Sequence, residues 1–218
     1  MKLTDKIYWY PEYGMLDCNT YLFRDETTLL IDPGNSSYLN HLVASLEEDG
    51  IKISDIDLIA FTHLHIDHCS GSQDLKELSG AKIAFHRIQD ENNNILGEVS
   101  RFFGLSSPRF TADILLSDSL NIGSREIRMI VTPGHSPESI CFYDQTDKAL
   151  VCGDVIFDRS VGRTDLPRGS GQELKNSINY LSGLDLEYLL PGHMGIVKGR
   201  RAVINNFAFV KEAYFGFM

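Results

Sequence analysis

At 218 residues, with 43% apolar and 23% charged residues, the chain has an ordinary globular mixture and suits one large α/β domain, expected to span residues 1–218. A formal charge of −10 and the lack of a long Lys/Arg run argue against a nucleic-acid partner, which needs cations to displace counterions from phosphate. Charged residues interrupt the opening Met1-Lys2-Leu3-Thr4-Asp5-Lys6 and no later stretch has the length of a bilayer span, so no membrane association and a cytoplasmic location are expected.

Apolar runs suited to strands occur at residues 6–10, 19–23 and 28–31. Beyond the turn Asp32-Pro33-Gly34, a helical pattern opens after Ser36-Ser37, carries Leu39, Leu42, Val43 and Leu46 on one face and stops at Gly50. Strands follow at 58–61 and 82–85. The stretch 92–110 fits no clean pattern and reads as a short helix and a loop. Phe102 and Phe103 are expected to tuck into the core, with a substrate mouth as the alternative. Strands at 127–131, 140–143 and 149–151 precede Ser170-x-x-Glu173, a capping-box pattern opening a helix with Leu174, Ile178 and Leu181 on one face. A strand at 188–190 and a last helix, with Val203, Phe207, Val210 and Tyr214 at spacings of three and four, complete the alternation of an α/β protein. The four cysteines, Cys18, Cys69, Cys141 and Cys152, form no Cys-x-x-Cys pair and read as reduced thiols.

Chemistry concentrates where these strands end. The run 58–61 leads into Thr62-His63-Leu64-His65-Ile66-Asp67-His68. On an extended chain His63 and His65 project to one side, their Cα atoms roughly 6.6 Å apart, so two imidazoles can grip one ion. Asp67 and His68 follow after the chain leaves the strand and can face a second. Thr132-Pro133-Gly134-His135, Cys152-Gly153-Asp154 and Leu190-Pro191-Gly192-His193 repeat the logic: an apolar strand, a glycine that permits close approach, then a ligand-type side chain. Strand ends along one sheet edge lie side by side, so four of them can converge on one point. Of the seven histidines, only His41 and His86 fall outside this pattern, and both read as surface or packing residues.

His-x-His-x-Asp-His, then a single His, a Gly-Asp and a Pro-Gly-His, resembles the ordered motif set of the metallo-β-lactamase superfamily over nearly the whole chain. That resemblance implies a four-layer αββα sandwich, two mixed β-sheets flanked by helices. It implies His63, His65 and His135 on one divalent ion, Asp67, His68 and His193 on a second, and Asp154 between them, while Asp32 of Leu30-Ile31-Asp32-Pro33-Gly34 supports the site without binding metal. Zinc is the first expectation, iron or manganese the alternatives. Two such ions would leave a charge of about −6. The resemblance further implies a metal-bound hydroxide as nucleophile, because coordination lowers the pKa of water to roughly 7, with Asp67 as the catalytic residue orienting it.

Asp154 stands where class B1 β-lactamases have a cysteine, which argues against that kind of antibiotic hydrolase. Gly153-Asp154-Val155-Ile156-Phe157 and Val161-Gly162-Arg163-Thr164-Asp165-Leu166-Pro167-Arg168-Gly169 are similar to the glyoxalase II-like and persulfide dioxygenase-like group. A small thiol-linked substrate is therefore expected, and a hydroxyacylglutathione-type thioester hydrolase comes first. The alternatives are a persulfide dioxygenase with one Fe(II) on His63, His135 and Asp154, and a metal-stabilised binding module without catalysis. The stretch after His193 suffices for one helix, so the thiol carrier need not be glutathione; a homodimer stays open. Asp165 is read as an acceptor fixing a ligand histidine, with a solvated loop acid as the alternative. Arg163 and Arg168 read as carboxylate receptors or surface ion pairs, Cys69 and Cys152 as packing residues.

Overall fold

The computed structural model describes residues 1–218. In chain order it forms β1 (Ile7–Tyr10), β2 (Thr20–Arg24), β3 (Thr28–Ile31), α1 (Leu39–Glu48), β4 (Leu58–Ala60), α2 (Ile66–Cys69), α3 (Ser72–Ser79), β5 (Lys82–His86), α4 (Arg87–Glu91), α5 (Ile95–Phe102) and β6 (Ile114–Leu116). There follow β7 (Ser119–Asn121), β8 (Glu126–Val131), β9 (Ile140–Asp144), β10 (Ala149–Gly153), β11 (Ile156–Phe157), β12 (Ser160–Val161), α6 (Gly171–Leu181), β13 (Tyr188–Pro191), β14 (Val197–Lys198) and α7 (Arg200–Tyr214). No helix is long and apolar enough to cross a membrane.

Two six-stranded mixed sheets result, ordered β1-β2-β3-β4-β5-β6 and β14-β13-β10-β9-β8-β7. The first is antiparallel through β3 and parallel from β3 to β6, because helical crossovers return each later strand in the same direction.

Side-chain alternation separates three apolar interfaces, which are the gaps of a four-layer sandwich. Tyr21, Phe23, Leu29 and Ile31 meet Ile140, Phe142, Ala149 and Val151 between the sheets. Leu22 and Leu30, one residue out of step, turn instead toward Leu42, Leu75 and Ile95 of α1, α3 and α5. On the far side Cys141, Leu150 and Leu189 pack against Leu174 and Ile178 of α6 and Phe207 of α7. Strands buried on both faces lose the polar half of their alternation, which is why they read as continuous apolar runs.

Two sequence expectations change. The capping box at α6 forms only half: Ser170 Oγ accepts from Glu173 N at 3.3 Å, while Ser170 N donates to Gly134 O at 2.7 Å and so ties the helix to the His135 loop. The helix in the 92–110 stretch exists, but Phe102 and Phe103 do not tuck into the core. Phe102 is 57% and Phe103 40% exposed, because Leu96 and Val99 already fill the buried face of α5.

Candidate metal centre

β8 runs parallel to β10, and β10 to β13, so the residues following these three strands emerge on one sheet edge. Thr62 O accepts from Ile140 N at 2.8 Å and brings the segment after β4 to the same edge. His135, Asp154, His193 and His63 to His68 are thereby gathered, and the seven expected site residues all lie in this one cluster. Donor atoms of His63, His65 and His135 lie within 4.8 Å of one another, as do those of Asp67, His68 and His193, and those of His63, His68 and Asp154. Asp154 lies between: its Oδ2 is 3.5 Å from both His135 Nε2 and His193 Nε2, its Oδ1 3.4 Å from His68 Nε2. A Cβ on Gly192 would collide with Asp154 Oδ1 and His68 Cε1, which accounts for glycine before that histidine.

Four of the histidines are oriented alike, each giving its Nδ1 proton to the protein. His68 donates to Asp32 Oδ2 at 3.0 Å, His135 to Arg163 O at 2.7 Å and His193 to Glu12 Oε2 at 2.8 Å. His63 donates to Thr62 Oγ1 at 3.0 Å, since the hydroxyl proton is itself given to Asp32 Oδ2 at 2.7 Å. Each ring therefore turns Nε2 to the cluster. His65 differs, with Nδ1 at 2.9 Å from His135 Nε2. Buried polar atoms are normally paired, yet Nε2 of His63 and His68 and Oδ1 of Asp154 have no hydrogen-bond partner. Imidazole nitrogens and a carboxylate left orphaned in one place are the donor set that a divalent transition metal takes, displacing any proton they hold, so the residues fit the implied ions.

The two halves differ electrostatically in the metal-free protein. Burial, aided by neighbouring histidines, pushes His63 well below the ordinary histidine range and His65 down to about 3. Burial opposes the charge on His193 too, but Asp154, Asp67 and Glu12 prevail and push it up to about 12. Burial likewise works against charge on His68, and the surrounding Cys18, Asp154 and Asp32 outweigh it.

Asp32, not expected to be a ligand, is buried at φ 57 and accepts from Thr62 N, Thr62 Oγ1 and His68 Nδ1. Asp165 departs from expectation. It is 68% exposed and grips Arg163 through two 2.7 Å bonds, so the acceptor fixing His135 is the Arg163 carbonyl. Arg168 pairs with Glu98 at 2.6 Å. Cys69 and Cys152 are fully buried, and burial pushes both thiols well above their ordinary range, as packing residues. His41 is exposed and stacks on Tyr13; His86 caps α4.

Three contributors carry no mark in the sequence. Glu12 receives His193 Nδ1 and Met194 N. Asn19 Nδ2 donates to Pro191 O and Met194 O, both at 2.9 Å, holding the turn that presents His193. Glu138 Oε1 accepts from Leu64 N at 2.9 Å, between His63 and His65, and burial pushes its carboxyl up.

A cavity of about 430 Å³ opens over the cluster. Its walls include Leu16, Ile66, Val99, Phe103, Phe157 and Val161, and His65, Asp67, His135, Asp154 and His193 line it as well.

The profile of the Metallo-beta-lactamase superfamily matches residues 13–193. The probable metallo-hydrolase MJ0888 of Methanocaldococcus jannaschii is 37% identical over 80% of this chain and 86% of its own. Hydroxyacylglutathione hydrolase GloC of Haemophilus influenzae is 28% identical over 74% of this chain and 76% of its own. Among solved structures, the BLEG-1 B3 metallo-beta-lactamase superposes with a TM-score of 0.76 at 28% identity, covering 88% of this chain and 93% of that one. TTHA1623 in a di-iron-bound form gives 0.73 at 27%, covering 96% and 100%. Because the profile covers most of the chain, from residue 13 through every ligand motif to His193, the chain belongs to the metallo-β-lactamase superfamily.

Proposed function

We propose that this metallo-hydrolase cleaves a thioester, the bond named for hydroxyacylglutathione hydrolases such as GloC, at two divalent ions. The supporting observation is the set of orphaned donors, Nε2 of His63 and His68 with Oδ1 of Asp154, beneath a cavity large enough for a small substrate. In this reading His63, His65 and His135 hold one ion, Asp67, His68 and His193 the other, and Asp154 serves both. Zinc is the first choice; the di-iron form of TTHA1623 keeps iron in view. Ions held there supply Lewis acidity toward a carbonyl oxygen and a water acidified to a pKa of roughly 7.

The chain's own residues do the rest. Asp67 lines the cavity with Oδ2 at 3.4 Å from His193 Nε2, where its carboxylate can accept a proton from the attacking water and aim it. Thr62, Arg163 O, Asp32 and Glu12 fix the rings so that little reorganisation accompanies reaction. Val99, Phe103 and Phe157 line the cleft with apolar surface that limits the access of bulk water.

The test is metal analysis of purified protein, then anaerobic S-lactoylglutathione hydrolysis, oxygen uptake on glutathione persulfide, and turnover of a β-lactam. Thiol release without oxygen supports the thioesterase. Oxygen uptake would establish the single-iron dioxygenase, β-lactam turnover an activity like that named for BLEG-1, and metal loading with no activity on these or on any simple thioester the non-catalytic module.

A further inference from the structure

Apart from the metal ions it would hold, the cleft is short of cations. Every polar residue lining it belongs to the histidine and aspartate cluster, apart from Arg163. Arg163 spends Nε and Nη2 on Asp165 at 2.7 Å each, and Arg168 nearby pairs with Glu98. A glutathionyl group carries two carboxylates and one ammonium, and a protein of formal charge −10, about −6 with two divalent ions bound, repels that net anion at distance. Each arginine is thus already engaged in an ion pair that a substrate carboxylate would have to displace.

The remaining lining is apolar. Leu16, Ile66, Val99, Phe103, Phe157 and Val161 supply it. Phe103 and Leu16 are each 40% exposed, apolar surface that a binding cleft covers when filled. Leu16 is held there in the left-handed region at φ 57, its carbonyl accepting from Asn35 Nδ2 at 2.8 Å, a conformation that a leucine adopts only where its surroundings impose it.

We infer that the cleft selects a thioester whose cleft-facing group is an uncharged aliphatic chain, on the acyl or the thiol side, in preference to a glutathione conjugate. The inference rests on the thioester reading and narrows it. Water adds across the C(O)–S bond: its oxygen joins the acyl carbon, the C–S bond breaks, and the sulfur departs with a proton as thiol.

The experiment uses zinc-loaded protein and two series. One runs from acetyl to hexanoyl thioesters of a single small uncharged thiol; the other runs from methyl to hexyl thiol esters of a fixed acetyl group. Binding of the matching uncleavable thioethers is measured in parallel, with S-lactoylglutathione as reference. Expected is a rise of about fourfold per methylene in one series, in kcat/KM and in thioether affinity alike, which corresponds to about 0.8 kcal/mol. The six-carbon member should exceed S-lactoylglutathione at least tenfold. Phe103→Ala, at a half-exposed site whose truncation spares the core, should flatten the slope. Flat or falling series on both sides, or preference for S-lactoylglutathione, would overturn the inference while leaving thioester hydrolysis standing. Methylene-dependent thioether binding with no thioester cleaved would do the reverse.

Discussion

Glu12 and His193 lie 181 residues apart in the chain, yet Glu12 Oε2 accepts the Nδ1 proton of His193 at 2.8 Å. Its other oxygen takes Met194 N at 3.0 Å, so one carboxylate sets both the ring and the turn that carries it. The His193 hydrogen bond in turn draws the Glu12 carboxyl below its ordinary value.

Removing that acceptor should loosen the ion at Asp67, His68 and His193. Glu12→Ala is expected to weaken zinc binding there by about 10–100-fold, and Glu12→Gln, which keeps an acceptor oxygen, by less. Competition against a chromophoric chelator reads both, and an Ala variant that binds like the parent sinks the assignment.

Metal uptake should depend on pH unequally in the two halves. His65, down at about 3, has no proton to lose between pH 6 and 8. His193, up at about 12, is protonated throughout that window and must give its proton up. Affinity at the second cluster should therefore fall about tenfold per pH unit per displaced proton as pH drops, while the first stays nearly level. Calorimetry in buffers of different ionisation enthalpy reads the protons released; equal pH slopes at both sites would contradict the asymmetry.

Asp154 lies within 3.5 Å of histidines from both halves. Asp154→Ala should consequently strip both ions together. Elemental analysis showing one full site after that change rules out a shared ligand.

Thr62 relays between Asp32 and His63 through a single hydroxyl. Thr62→Val keeps the shape but leaves a buried carboxylate oxygen and a ring N–H each short of a partner, costing about 1–3 kcal/mol. Urea unfolding should show a lower midpoint for Val and near-parental stability for Thr62→Ser. A Val variant as stable as the parent would mean the relay contributes nothing to folding.

The strands with both faces buried are legible in the sequence because apolar runs between turn signals leave few alternatives: 28–31 is found intact as β3, and the face of α1 buries Leu39, Leu42 and Leu46 as its period requires. β6 and β7 are not legible, being three residues each with only Leu116 buried between them, too little burial to impose a pattern.

The sequence by itself determined that ligand-type residues follow four strands, and that the chain has the motif order of its superfamily, because both are properties of local spacing. Only the tertiary structure decided who holds them. Glu12 reaches His193, the Arg163 carbonyl displaces Asp165 as the partner of His135, and Phe103 lines a cleft instead of a core. Those choices depend on which surfaces the two sheets bring together across long stretches of chain. A carboxylate in a loop carries no periodicity that announces the ring it will meet.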